Sequence, residues 1–251
     1  MKIKMIATDL DETLLHTDKS LSAYTIDILR RCSNKGIKLV AATARGNSVK
    51  KLLPNDLFDA RILTNGAKAF AGDVIVYDST MPVDVFKPLL KQLTAHGINA
   101  AAKIGGIHHA NFDVRTRWSY IDYFLLSDLE NFPGGADKLY AVIETPAQRE
   151  TVLGIVPEQL HMHISKDNLA MLMHAGATKQ NAIAAVAKHF GIAMQEIVAF
   201  GDDTNDIGML KAVGTGVAMA NALDSVKQVA DEICLTNDEE GVAKWLCQHL
   251  L

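Results

Sequence analysis

The sequence predicts an α/β fold in which a parallel sheet is interrupted by an inserted α+β domain. Short apolar strands alternate with amphipathic helices near both ends of the chain, and that alternation breaks down in the middle. Where it holds, acidic or glycine-bearing loops follow the strands. A chain of 251 residues exceeds the usual size of one domain and leaves room for a core with an insert.

The first strand is expected over Ile3 to Thr8, a short apolar run ended by Asp9. Ser22 to Lys35 reads as a helix, with Ile26, Leu29 and Cys32 at helical spacing, Ser22 as its cap and Gly36 as its left-handed stop. Ile37 to Ala42 is a second buried strand, followed by a short helix from Gly46 and a third strand at Arg61 to Leu63. The pattern resumes with a helix at Thr178 to Phe190, a strand at Glu196 to Phe200 and a helix from Asn205. Strands at Gly216 to Met219 and Glu232 to Leu235 and a last helix from Glu239 complete it. Between them, the helix Val83 to His96, the strands Leu139 to Ile143 and His161 to Ile164, and the glycine-rich stretch IGGIHHANF belong to a different layout. The division is therefore 1–80 with 175–251 for the core and 81–174 for the insert.

Composition narrows the function. Apolar residues make up 49% and charged residues 22%, as in ordinary globular proteins. The net charge is −4 and no basic run could follow a phosphate backbone, so nucleic acid is not an expected partner. No window approaches the roughly 18 apolar residues of a membrane span, so no membrane partner is expected either. Three scattered cysteines, Cys32, Cys234 and Cys247, form no CxxC pair and suggest a reducing, cytoplasmic setting.

The chemistry-bearing residues fall where strands end or helices begin. Asp9 and Asp11 are two apart after the first strand, a spacing that can point both carboxylates to one side of an extended chain. In open α/β sheets that is where ligands bind, at the crevice beyond the carboxyl ends of the strands. An acidic loop of this kind is also common as a mere turn. Three further segments weigh against that reading: VAATARG at Val40 to Gly46, GATKQN at Gly176 to Asn181 and GDDTNDIGML at Gly201 to Leu210.

This ordered set resembles the four motifs of the haloacid dehalogenase superfamily: DxDx[TV], a Ser/Thr after the second strand, a Lys, and a GDxxND-type loop. TNGA at Thr64 to Ala67, TKQNAI after the insert and DEEGVAKWL near the end make it similar to the Cof-type (subclass IIB) phosphatases over nearly the whole length. Glu12 stands where that family more often has Gly, a position that does no chemistry, and little consequence is expected. The resemblance implies a Rossmann-like core with a type C2 cap inserted between the second and third motifs.

It also implies roles. Asp9 would be the nucleophile and Asp11 the general acid/base, a task suited to a carboxyl whose anionic neighbours favour its protonated form. An anionic nucleophile meeting a phosphate faces repulsion of about 4 kcal/mol per charge pair at intermediate dielectric, so a cation is needed. Asp9, Asp202 and the main-chain carbonyl of Asp11 match the family's magnesium ligands, with Asn205 and Asp206 in support. Asp203 reads as a helix N-terminal acid. Thr43, with the Ala44 amide, and Lys179 would hold the phosphoryl group, while Arg45 would either contact substrate or brace its loop.

The expected activity is magnesium-dependent hydrolysis of small phosphorylated metabolites such as sugar phosphates. A phosphomutase shares the same catalytic pair and stays open as an alternative. A phosphoacceptor receiver module is disfavoured by length and by the second Asp. His161 with His163 and His108 with His109 lack the partner residues of a metal site and read as polar surface. Arg115 and Arg117 are expected to share one strand face as weak candidates for anion recognition.

Overall fold

The computed structural model describes every residue but Met1, Ser48, Lys50, Lys51, Tyr120, Asp122, Asp128 and Lys166. The short helix expected from Gly46 falls partly on these, outside the described residues. The chain forms two compact units, Met1–Asp78 with Thr178–Leu251, and Ser79–Ala177.

In chain order the first unit begins with β1 (Met5–Thr8), α1 (Ala23–Asn34), β2 (Lys38–Ala42), β3 (Ala60–Leu63), β4 (Lys68–Ala71) and β5 (Val74–Asp78). The second contains α2 (Val83–Ala95), β6 (Ala100–Ile104), β7 (Ile107–Ala110), β8 (Phe124–Leu126), β9 (Lys138–Val142), α3 (Pro146–Ile155), β10 (Leu160–Ile164) and β11 (Leu169–His174). The first then resumes with α4 (Lys179–Phe190), β12 (Ile197–Gly201), α5 (Ile207–Ala212), β13 (Thr215–Ala218), α6 (Asp224–Lys227), β14 (Glu232–Ile233) and α7 (Gly241–Leu250).

The first sheet runs β14-β13-β12-β1-β2-β3-β4-β5. Its pairs are parallel from β14 to β3 and antiparallel in the β3-β4-β5 meander. β1 is buried along its whole length, as a strand covered on both faces must be. From β1 the chain proceeds outward through β2 and β3, then returns to lay β12, β13 and β14 on the opposite side. The order reverses at the β1/β12 boundary, where such sheets leave a crevice at the strand ends. Thr8 pairs with both Ala41 and Phe200, so the loops after β1, β2 and β12 emerge side by side.

The helix signals act as read. The Ser22 side chain accepts from the Thr25 N–H at 3.0 Å, and Gly36 takes φ 82° after α1. The β4–β5 hairpin was not foreseen: β4 alternates between half-buried and buried residues, β5 is exposed to half-buried, and the two widen the sheet before the chain passes from Asp78 into the second unit.

The second sheet runs β10-β11-β9-β6-β7-β8, antiparallel except for β7 with β8. Phe86, Leu89, Leu90 and Leu93 of α2 and Val152 of α3 share one core with Ala100, Ala102, Leu139, Ala141, Ala170 and Leu172. The helices therefore cover one face of this sheet. Arg115 and Arg117 are not on a strand. Asp113 accepts the Arg115 N–H at 3.0 Å and starts a 3₁₀ turn over Val114–Thr116, and the two arginines pair with Asp113 and Asp167 at 2.7 and 2.9 Å. The pair His108 and His109 is not simple polar surface either: His109 is buried against Phe132, and His108 is hydrogen-bonded to the Tyr140 hydroxyl, whereas His161 is half-buried and His163 exposed on β10. No helix among the described residues is long and apolar enough to cross a membrane.

One turn fixes how the two halves of the first unit meet. Thr64, Asn65 and Gly66 all have left-handed backbone, and a Cβ on Gly66 would lie 2.2 Å from the carbonyl oxygen of Thr178. Only glycine combines that φ, 97°, with so close an approach. Gly66→Ala is expected to cost about 2 kcal/mol or more, from the positive φ and the clash together, read as a lower urea midpoint with an unchanged slope.

Candidate active site

Asp9 leaves β1 with its N–H bonded to the carbonyl of Phe200 on β12 at 2.9 Å. The chain then makes one wide turn over Leu10–Leu14, closed by the Leu15 N–H on the Leu10 carbonyl at 2.8 Å. Within it Asp11 is extended and Glu12 is left-handed at φ 58°. The turn brings Thr13 back towards the loop after β12, where its hydroxyl donates to Asp202 at 2.6 Å.

Thr178 caps α4, its hydroxyl accepting the Asn181 N–H at 3.1 Å. That cap sets the first helical residue, Lys179, which is 1% exposed. Its Nζ donates to Asp9 and to Asp206, each at 2.6 Å. Asp206 is fully buried, and its other oxygen accepts the N–H groups of Asp202 and Asp203 at 3.0 and 3.2 Å. Burial opposes the charge of Lys179, but the carboxylates of Asp9 and Asp206 outweigh it and hold the ammonium above the ordinary lysine range.

The carboxylates of Asp9, Asp202 and Asp206 offer oxygens within 4.8 Å of one another, and they are the one such metal-capable group among the described residues. Burial pushes Asp9 up to about 7 against the opposing pull of Lys179. It pushes Asp202 up to about 6, against the Thr13 hydrogen bond and with the help of the Asp206 charge. One ammonium among three crowded carboxylates leaves negative charge to be offset, and hard oxygen donors of this kind fit magnesium.

Asp11 has different surroundings from those its expected role suggests. Arg45 holds it with a two-point fork, Nε and Nη2 each at 2.6 Å, and Lys19 stands 3.4 Å away. The Arg45 hydrogen bond, offset in part by burial, keeps this carboxyl below its ordinary value. Its neighbours are cations rather than anions, because the turn at Glu12 aims its side chain at the loop after β2. Arg45 thus braces that loop. Glu12, far from inert, bonds Lys19 at 2.6 Å and keeps that ammonium beside Asp11.

Thr43 follows β2 in a buried position, and its hydroxyl oxygen accepts the Arg45 N–H at 3.0 Å, while Ala44 beside it is exposed. Asp203 bonds the Thr204 N–H at 2.6 Å, as a helix N-terminal acid does. Asn205 donates to Asn65 at 2.9 Å, and Asp206 serves Lys179 and the loop amides. Sequence reasoning gave no role to Thr13, Asn65 or Lys19. Thr13 and Asn65 lie inside recognised motifs and could have been found there, but Lys19 carries no local signal.

The family model described as haloacid dehalogenase-like hydrolase matches residues 6–246. The chain is 32% identical to the 5-amino-6-(5-phospho-D-ribitylamino)uracil phosphatase YcsE of Bacillus subtilis, over 96% of this chain and 94% of that one. It is 25% identical to the pyridoxal phosphate phosphatase YbhA of Escherichia coli over the whole of both. The solved structure of a subclass IIB sugar phosphatase superposes with a TM-score of 0.80 at 27% identity, covering 98% of each chain.

Lys179→Met is expected to cost about 3–5 kcal/mol, because it strands two buried carboxylates; urea unfolding in a chelator reads this. Asp202 binds a proton more tightly folded than unfolded, so its ionisation works against the fold. In the same chelator the chain is expected to lose stability relative to Asp202→Asn as pH rises from about 4 through about 6. Parallel curves for the two proteins would contradict this.

Proposed function

Because the chain belongs to the haloacid dehalogenase-like hydrolases, as a subclass IIB phosphatase, we propose that it hydrolyses small-metabolite phosphomonoesters, sugar phosphates foremost, through an aspartyl-phosphate on Asp9. The observation that carries this is the buried Lys179, 2.6 Å from both Asp9 and Asp206, with Asp202 in the same carboxylate group. The three similar phosphatases act, by their names, on a ribitylamino-uracil phosphate, pyridoxal phosphate and sugar phosphates, all small phosphomonoesters.

In the first step a carboxylate oxygen of Asp9 bonds to phosphorus and the bond to the leaving oxygen breaks. Asp11 gives that oxygen its proton. Thr43, whose hydroxyl oxygen already accepts from Arg45, has its own O–H free to donate to a phosphoryl oxygen, and the Ala44 N–H lies beside it. Lys179 holds the attacking carboxylate in place and balances the charge of the transferring group. An arriving phosphate competes for Arg45, and release of the fork frees Asp11 to carry a proton. In the second step water attacks phosphorus, Asp11 takes the water's proton, and phosphate leaves with Asp9 restored.

Magnesium, held by Asp9, Asp202 and the main-chain carbonyl of Asp11 with Asn205 and Asp206 nearby, would supply positive charge that favours ionised Asp9 and offsets its repulsion from phosphate. The core carries groups for the phosphoryl and the cation.

Phosphate release is measured over a panel of phosphorylated metabolites, with and without magnesium. Small phosphomonoesters are expected to be cleaved, activity to vanish on chelation, and magnesium to restore it. Asp9→Asn is expected to lower kcat by roughly 10³-fold or more while the protein stays folded. Turnover close to that of the unaltered chain in this variant would exclude the covalent route.

A further inference from the structure

The helix-free face of the second sheet carries an arrangement that the phosphatase reading does not use. Across the six strands, His161, Met173, Lys138, Lys103, His108 and Phe124 fall in one row: His161 pairs with Met173, Lys138 with Lys103, Lys103 with His108 and His108 with Phe124, while Met173 and Lys138 are the next positions beyond the pair of Leu172 with Leu139. All fall on the face opposite the helix-packed residues Ala102, Leu139 and Leu172. Lys103 and Lys138 are direct cross-strand partners at the centre of that row, and both are half-buried.

Like charges facing each other across two strands are unfavourable. Among the described residues, no ion pair or hydrogen bond holds either ammonium. Burial first, and for Lys138 also the charge of Lys103, draws both below the ordinary lysine value, Lys138 to about 8. Asp137 offsets this only in part. Next to Lys103, His108 is held neutral by burial and by the two ammoniums, its value lowered to about 4, and its Nδ1 is bonded to the Tyr140 hydroxyl. Two cations and a neutral imidazole are thus set side by side in a partly desolvated floor, with the charge of Asp137 offsetting them only in part. A hydrophobic pair at these positions would suit the fold better.

We propose that Lys103 and Lys138 form a phosphate-binding site on the second unit, closing on a phosphate group from two sides with His108 alongside. Two adjacent ammoniums match a dianion better than a single carboxylate, and partial burial strengthens the match. The site takes inorganic phosphate or the phosphate of a small ester.

Competitive acetylation with trace acetic anhydride, read lysine by lysine by mass spectrometry on the full chain, tests this. At saturating inorganic phosphate and constant ionic strength, labelling of Lys103 and Lys138 is expected to fall by about fivefold or more, with the exposed Lys2 and Lys211 unchanged. A non-hydrolysable alkyl phosphonate run in parallel separates an esterified phosphate, which protects at lower concentration, from the free ion. Lys103→Met is expected to raise Tm without phosphate and to abolish protection of Lys138, and Lys138→Met to raise Tm likewise and to abolish protection of Lys103. Labelling unmoved by phosphate, equal protection by chloride or acetate at the same ionic strength, or protection that persists in the single variants would overturn the proposal.

Discussion

One buried ammonium organises the first unit's site. Lys179 is bonded to Asp9 from β1 and to Asp206 from the loop after β12, two segments far apart in sequence. Burial opposes the charge of the lysine, and the two carboxylates beside it outweigh that cost. Its position rests on a series of close fits. The left-handed turn at Thr64–Gly66 abuts Thr178, Thr178 caps α4, and the cap makes Lys179 the first helical residue. Asp206 passes the constraint on, since its second oxygen holds the amides of Asp202 and Asp203.

The strand ends were legible because parallel, doubly covered strands must be short apolar runs, and an acidic residue closing such a run has one place to go. Asp9, Thr43, Lys179 and Asp202 each follow a strand or open a helix, which places them near the strand ends, but it is the resemblance of the four motifs taken together that singled them out. What stayed hidden depends on side chains reaching between loops. Nothing local to Asp11 shows that Arg45, separated by 34 positions, folds back onto it. The same holds for Thr13 with Asp202, separated by 189. At Arg115 a local rule did operate but was misapplied, since an Asp two residues earlier is a turn signal that competes with strand alternation.

Glu12 illustrates how a departure from a family pattern acquires structure. A glycine there would adopt φ 58° without strain, whereas glutamate bears a penalty. In return its carboxylate gathers Lys19, itself left-handed at φ 68°, against Asp11. The loop after β1 is therefore more cationic around Asp11 than the fingerprint alone suggests, and Asp11 sits between two positive groups rather than among the carboxylates clustered at Asp9.

The order of strands in the first sheet has a consequence for the chain as it is made. β1 lies between β2 and β12, yet a ribosome delivers β12 only after the whole of Ser79–Ala177. The second unit is contiguous and can close on itself while β1 still offers one edge unpaired. Asp9 is among the first residues to emerge, but Lys179 and Asp202 are among the later ones. A nascent or truncated chain thus carries Asp9 without Lys179 and Asp202, and the carboxylate group around the buried ammonium assembles only when the segment after Ala177 docks along β1.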